Sequence, residues 1–138
     1  MDATKFVLVV LLAAAVGAAV YFAYRAPPSR VGGTRGPFGQ GRNLVTAGDY
    51  DTALTFLEEY LQRYPQGRNA SRARFFVAKA HIGRGDLNAA RAAFEAVLRT
   101  HPDSLEAHKS RYKLGMVDLW DGRAAAARDR FRTLAEHP

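Results

Sequence analysis

The strongest constraint on the fold of this chain is a repeat of 37 residues, marked by the glycines at positions 48, 85 and 122. Five residues after each glycine stands an alanine, and four residues further on a large apolar residue. These pairs are Ala53 and Leu57, Ala90 and Phe94, and Ala127 and Phe131. Repeats of this length are typical of supersecondary units that stack into an array. The sequence therefore predicts a stacked array, and arrays of this kind mostly present binding surfaces.

Each repeat is predicted to hold two helices. Apolar residues recur at helical spacing within a repeat, and the pattern breaks at Gly-Asp and at proline. The predicted helices cover residues 37–47, 50–64, 69–84, 87–100, 104–120 and 123–136. Asp49 and Asp86 stand where a side chain caps the second helix of a unit, and Asp103 with Glu106 has the spacing of a capping box. The predicted fold class is all-α.

This pattern resembles the tetratricopeptide repeat (TPR) over residues 38–138. The matching residues fall on signature positions of three successive units: Gly41, Gly48, Asp49, Tyr50, Ala53 and Pro65; Gly85, Asp86, Leu87, Ala90, Phe94, Val97 and Pro102; and Leu114, Gly115, Gly122, Ala127 and Phe131. The resemblance implies a short α-solenoid of about three helix-turn-helix repeats that binds protein partners. The period exceeds the family's usual 34 residues and looks like the extended repeats of bacterial cell-envelope proteins. Gln40 stands where the family has leucine, so the first helix is expected to be short or distorted.

An apolar segment near the start predicts a membrane anchor. Residues 6–24 contain no charged side chain, and as a helix they would be about 29 Å long, close to the ~30 Å hydrocarbon core of a bilayer. Tyr21, Phe22 and Tyr24 followed by Arg25 are typical of a lipid interface. We therefore predict a transmembrane anchor within residues 1–25, with the bilayer as one partner. A cleaved signal peptide is the alternative, and the weak basic region before the segment argues against it.

The residues after the anchor predict a linker and an orientation. Residues 26–41 hold three prolines and five glycines and are interpreted as a linker, which leaves 42–138 as the repeat domain. Arginines at positions 25, 30, 35 and 42 follow the anchor, whereas only Lys5 precedes it. The positive-inside rule therefore favours the cytoplasmic side of a bacterial inner membrane for the repeat domain. A periplasmic location stays open, because long domains cross membranes largely regardless of charge.

The net charge of +7 is divided unevenly along the chain. Residues 1–42 carry a net charge of +4, and residues 43–138 carry +3. A basic protein suggests nucleic acid as a ligand, but basic residues beside an apolar segment more often face anionic lipid. No specific nucleic acid is therefore expected. A basic adaptor for a membrane surface or for nucleic acid is the alternative function.

No constellation of catalytic residues emerges. The chain contains no cysteine, its four histidines are not paired four residues apart, and no phosphate-binding or metalloprotease motif occurs. We therefore predict a non-enzymatic protein without cofactor, metal or small-molecule substrate. The acidic residues are spread singly along helices that also carry arginine, and we interpret them as solvated surface.

The candidate binding surface lies on the first helix of each unit. The resemblance implies that the inward-facing residues of units two and three are Arg72, Phe75, Lys79, Ile82, Lys109, Tyr112, Met116, Leu119 and Trp120. Basic and aromatic side chains on one surface suit a peptide that brings a carboxylate and apolar anchors. The asparagines of the family's carboxylate clamp are missing. Trp120 is the strongest candidate, whereas ordinary packing is the alternative for Phe75, Tyr112 and Leu119.

The last unit predicts a second docking surface. Helical arrays usually end in a helix with a polar outer face, and no such pattern follows residue 136. Phe131 and Leu134 are therefore expected to form a partly uncovered docking face, for a partner or for another copy, unless the chain is shortened. The leading hypothesis is a protein-interaction scaffold or accessory subunit of a bacterial membrane or envelope complex.

Overall fold

The computed structural model describes residue 2 and residues 36–136. The chain separates into two units between Val31 and Gly32. The described residues of the second unit form six helices: α1 (Pro37–Ala47), α2 (Tyr50–Arg63), α3 (Ala70–Gly83), α4 (Leu87–Thr100), α5 (Leu105–Trp120) and α6 (Ala124–Glu136). From residue 36 to residue 136 no strand occurs. The all-α prediction is therefore confirmed, and each predicted helix end agrees with the observed one to within one residue. As Gln40 led us to expect, α1 is the shortest helix.

The two helices of each pair are joined at a glycine in the left-handed backbone conformation. The φ angles at positions 48, 85 and 122 are 87°, 78° and 74°. A methyl group added to any of these glycines would meet no atom within 4 Å. The backbone conformation, and not lack of space, therefore favours glycine at these positions.

Aspartates begin the second helix in the first two pairs. Oδ1 of Asp49 accepts a hydrogen bond from the amide of Thr52 at 3.3 Å. Oδ1 of Asp86 accepts one from the amide of Ala89 at 3.0 Å. Each bond satisfies an amide that has no partner within the helix, so both predicted caps are confirmed.

The start of α5 differs from the sequence prediction. Ser104, and not Asp103, is the N-cap, and its hydroxyl accepts a hydrogen bond from the amide of Ala107 at 3.1 Å. The predicted capping box is therefore wrong. Because the helix begins one residue later than expected, Glu106 lies in its first turn, and its carboxylate accepts a hydrogen bond from the hydroxyl of Ser71 in α3 at 3.2 Å.

The helices pack as consecutive hairpins. Each helix contacts the next one along the chain, and in addition α1 contacts α3 and α3 contacts α5. The first helices of the three pairs therefore lie side by side. This is the arrangement of a short helical-repeat array.

Small side chains at the helix crossings allow the close packing. Ala53 and Ala90 have no exposed surface, and Ala127 is almost fully buried, because a methyl group leaves room for the ridge of the facing helix. One core cluster surrounds Leu57 between the first two pairs, and a second surrounds Phe94 between the second and third pairs. Phe94 therefore fills the space between the second and third pairs.

None of the helices among the described residues is both long and apolar enough to cross a bilayer. The predicted anchor at residues 6–24 and most of the predicted linker lie outside the described residues. Both stay predictions.

Candidate functional site

The first helices of the pairs, α1, α3 and α5, form the candidate binding surface. Because α3 contacts both α1 and α5, the predicted binding residues of α3 and α5 lie on neighbouring helices. They differ strongly in how much of each side chain is exposed to solvent.

The two predicted cations of α3 lie on the surface and over aromatic rings. The guanidinium of Arg72 is 5.5 Å from the ring centre of Phe38 in α1, and the ammonium of Lys79 is 5.2 Å from the ring centre of Phe76. Nε of Arg72 also lies 3.8 Å from Oε1 of Glu106 in α5. Arg72 therefore contacts both neighbouring first helices, whereas Lys79 contacts a ring of its own helix.

The two predicted apolar residues of α3 are partly buried and pack against the core. The ring of Phe75 packs edge-on against Phe94 with 5.5 Å between the ring centres. Ile82 packs against the same core cluster. Ordinary packing, the alternative given to Phe75 from the sequence, therefore accounts for its contacts.

In α5 the predicted residues are much more exposed. The exposed fractions are 51% for Tyr112, 50% for Leu119 and 49% for Trp120. Lys109 is also exposed, whereas Met116 is half-buried. The accessible large apolar side chains of the predicted site therefore all lie on α5.

Sequence reasoning missed one member of this exposed set. Leu105 is 62% exposed and stands seven residues before Tyr112, which in turn stands seven residues before Leu119. Residues at this spacing lie along one side of a helix. The heptad spacing was the signal that would have identified Leu105.

The predicted docking face of α6 is half-buried. The ring of Phe131 lies 5.8 Å from that of Tyr112, and a methyl group added at Gly115 would lie 2.6 Å from Cε1 of Phe131. Leu134 is also half-buried. Phe131 therefore continues the apolar surface of α5 onto α6, and Leu134 stands three residues further along the same helix.

A buried carboxylate joins the last three helices. Asp118 of α5 has no exposed surface. Its Oδ1 accepts a hydrogen bond from Nε of Arg91 in α4 at 3.1 Å, and its Oδ2 accepts one from Nε of Arg130 in α6 at 2.7 Å. Nε of Arg123 lies 3.6 Å from Oδ1. Our interpretation of the acidic residues as solvated surface is therefore wrong for Asp118, whose burial requires these cationic partners.

The surrounding arginines decide the protonation of this cluster. Burial raises the pKa of Asp118, but hydrogen bonds from Arg130 and Arg91 and the charges of Arg130 and Arg123 outweigh it, so the pKa lies below its ordinary value. The hydrogen bond to Asp121 raises the pKa of Arg91 and outweighs the opposing effect of burial, and Asp118 raises it further. Both shifts keep the cluster charged at neutral pH.

A second polar group lies near the start of α5. The carboxylate of Glu106 is bonded to Ser71 and lies near Arg72, both of α3. Burial lowers the pKa of His101, the charge of Arg74 lowers it further, and Glu106 opposes both. The contacts of Glu106 with Ser71 and Arg72 join the second and third helix pairs, as the bond between Asp118 and Arg91 does.

The side chains of this surface are suited to non-covalent contacts with another molecule. Within residues 36–136, no group of three or more histidine, cysteine or acidic side chains is placed to hold a metal ion. What the surface presents is a row of apolar and aromatic side chains beside cations. Such a combination suits contacts with another polypeptide.

A comparison with known families agrees with this geometry. A family model described as Tetratricopeptide repeat matches residues 44–114, just over half of the chain. No curated protein matches the sequence. The match covers α2, α3 and α4 completely and extends into α1 and α5. Tandem helix hairpins, left-handed glycines between the helices and the family match lead to one conclusion: the chain belongs to the tetratricopeptide repeat family.

Proposed function

We propose that this TPR protein is a non-enzymatic scaffold, held at a bacterial membrane by residues 6–24, that binds a protein partner through α3 and α5. Repeats of this family generally serve as protein-interaction modules. The extended period of 37 residues and the apolar segment near the start support an accessory subunit of a membrane or envelope complex as the specific role. The arginines that follow this segment favour a repeat domain in the cytoplasm.

The observation that carries the proposal is the exposed apolar row of α5. Leu105, Tyr112, Leu119 and Trp120 are the large apolar side chains that stand out as exposed among the described residues. Large contiguous apolar surfaces on soluble domains mark interaction sites. Lys109 lies on the same helix and is available to a partner carboxylate.

Substitution of Trp120 tests this role directly. The full chain carrying an affinity tag is recovered from detergent-solubilised source cells, and the bound proteins are identified by mass spectrometry. If Trp120 is a binding hot spot, Trp120→Ala weakens recovery of the partner by roughly 2 kcal/mol or more, which is about thirtyfold in affinity. Arg99→Ala is the control, because it truncates an exposed side chain of α4 outside the candidate surface, and it should leave recovery of the partner unchanged.

Three results would contradict the proposal in different ways. Equal recovery by the protein and Trp120→Ala removes Trp120 from the site. Equal loss in Trp120→Ala and Arg99→Ala would show that the loss does not report on the candidate surface. Binding of nucleic acid or anionic vesicles, with a steep dependence on salt and no protein partner, favours the basic adaptor instead. That alternative is the weaker one, because Arg91, Arg123 and Arg130 are engaged by Asp118.

The side of the membrane is tested separately. Protease added to intact spheroplasts should leave the repeat domain uncut if it is cytoplasmic. Digestion of the domain under these conditions would assign it to the periplasm.

A further inference from the structure

The second and third helix pairs build the same outward surface. We call the surface of the third pair formed by Tyr112, Leu119, Phe131 and Leu134 the distal face. Counting back 37 residues leads from Tyr112 and Phe131 to Phe75 and Phe94. The ring centres are 5.8 Å apart in the first of these two pairs and 5.5 Å apart in the second. The second pair therefore carries a closely similar equivalent of the distal face.

In the second pair this surface is covered by α5. Phe94 has no exposed surface and packs with Leu114 and Val117 of α5, while Ile82 packs against the same cluster. In the third pair the equivalent of Ile82 is Leu119, which is half exposed. The distal face thus has the composition of a surface that a helix covers, without a covering helix among the described residues.

Two cations border the covered surface and pair with the helix that covers it. Nε of Arg72 lies 3.8 Å from Oε1 of Glu106, and Arg91 bonds Asp118 at 3.1 Å and Asp121 at 2.7 Å. All three carboxylates belong to α5 or to the residue that follows it. The covering helix therefore brings the negative charge, and the covered surface brings the positive charge.

The distal face also carries a cation at each of the two equivalent positions. Counting forward 37 residues from Arg72 and Arg91 leads to Lys109 and Arg128, and both are exposed. Arg128 lies 3.5 Å from Asp129, its neighbour on α6, and both side chains are well exposed, so that pair contributes little. The positions that hold α5 by charge in the second pair are therefore accessible in the third.

We propose that the distal face binds an amphipathic helix of a partner protein, with small and apolar residues along its buried side and carboxylates near both ends. The template is α5, where Glu106 and Asp118 stand twelve residues apart and Ala107, Ser110, Leu114 and Val117 are buried between them. The proposal rests on the proposed function, protein binding, and adds the surface and the chemistry of the partner.

A second copy of the chain fits this surface poorly. Tail-to-tail contact would bring Lys109 and Arg128 of one copy towards the same cations of the other. Head-to-tail contact would place α1 on the distal face, and α1 contains no carboxylate. Gln40 and Asn43 also stand on α1 where α3 has Val77 and Ala80. A partner helix that carries carboxylates is therefore the better match.

The test uses a helical peptide that carries the sequence of α5. A hydrocarbon-stapled, dye-labelled peptide of residues 104–121, with Trp120→Ala, is titrated with the full 138-residue chain in mild detergent, and binding is followed by fluorescence anisotropy. Saturable binding is expected. The double variant Lys109→Glu/Arg128→Glu should bind this peptide about tenfold more weakly or worse. Arg63→Glu/Arg68→Glu, an equal change of net charge at two exposed residues away from the distal face, should leave the affinity unchanged.

A charge-swapped peptide makes the test specific. The peptide with Glu106→Lys and Asp118→Lys should bind the double variant more tightly than it binds the unmodified protein. Circular dichroism of each variant checks that the fold is intact, which is expected because both substituted residues are exposed.

The outcomes separate this inference from the proposed function. Absence of peptide binding, or equal binding by the double variant, overturns the distal face as a site for an acidic helix. A concentration-dependent dimer in sedimentation that is lost in Leu119→Ala would assign the face to a second copy. Either result leaves the proposed function standing if Trp120→Ala still loses the cellular partner.

Discussion

The two interfaces between successive helix pairs share one geometry and differ in chemistry. The first, between the pairs α1/α2 and α3/α4, is filled by apolar side chains such as Phe38, Leu54 and Leu57. The ion pair that crosses it, Arg84 with Asp51, lies at the surface, where Asp51 is 82% exposed. The second interface adds to its apolar core the buried charge of Asp118, held by arginines from two other helices.

The difference shows that equivalent helices can take the same positions in successive repeats while the side chains between them are apolar in one interface and partly ionic in the other. An apolar interface tolerates loss of one contact in proportion to the volume removed. A buried ionic cluster depends on every member, because removal of one charge leaves the others buried without compensation. The second interface should therefore be the more sensitive of the two to substitution and to pH.

The largest expected effect is that of Asp118→Ala. Removal of the carboxylate leaves Arg91, which is only 12% exposed, without its buried partner. We expect the free energy of unfolding to fall by about 3–5 kcal/mol, measured by urea unfolding followed by circular dichroism.

The matched variant at the first interface is Asp51→Ala. Because its pair with Arg84 is solvated, the loss should be about 0–1 kcal/mol. Similar losses in the two variants would show that the buried cluster contributes no more than a surface pair, and the contrast between the interfaces would then be wrong.

Two glycines make close contacts, and an intermediate effect is expected at one of them, Gly41. A methyl group at Gly41 would lie 2.6 Å from Cγ of Leu57, and one at Gly115 would lie 2.6 Å from Cε1 of Phe131. Leu57 has no exposed surface and cannot move away, so Gly41→Ala should destabilise the protein by on the order of 1–2 kcal/mol. Phe131 is only half-buried, so its ring is less constrained than the side chain of Leu57.

Gly115→Ala should therefore be nearly neutral. The second pair already contains this arrangement, since Ala78 occupies the equivalent position and packs in the same cluster as Phe94. Thermal unfolding of both variants provides the measurement. Equal loss of stability would show that the distal face is as rigid as the interior of the first interface.

The smallest effect concerns pH at the second interface. The folded state holds the pKa of His101 below its ordinary value, through burial and the charge of Arg74. As the pH falls through about 6.5, the unfolded chain binds the proton first, so this contribution to stability is present at higher pH and lost towards acid. The free energy of unfolding should therefore fall less steeply in His101→Gln than in the protein over this range. An equal slope in both would remove His101 as a cause.

The helices could be predicted from the sequence because their ends are determined locally. Gly48, Gly85 and the aspartates that follow them act within one turn of the chain, through a left-handed backbone and an N-cap. Local signals of this kind are readable without knowledge of the tertiary structure.

The ionic cluster depends on contacts between residues that are distant in sequence. Arg91 precedes Asp118 by 27 residues, and Arg130 follows it by twelve. A single aspartate on a helix that also carries lysine and arginine has the pattern of a solvated surface. The repeat nevertheless contained a signal, since the position equivalent to Asp118 in the first unit is Leu44, which packs against the core.

The exposure of the candidate site was equally hard to predict. Phe75 and Tyr112 occupy equivalent positions of two repeats, yet α5 covers the surface around the first, and among the described residues nothing covers the second. Position within a repeat gives the direction of a side chain. The neighbouring repeat determines whether that side chain meets solvent.

Asp118 also has a consequence for local opening of the array. Helical repeats commonly fray from their terminal units, because each unit contacts only its neighbours. Here one carboxylate bonds residues of α4 and α6 while belonging to α5. Amide protons of these three helices should consequently exchange with solvent as a single cooperative group, and opening should begin at α1 instead.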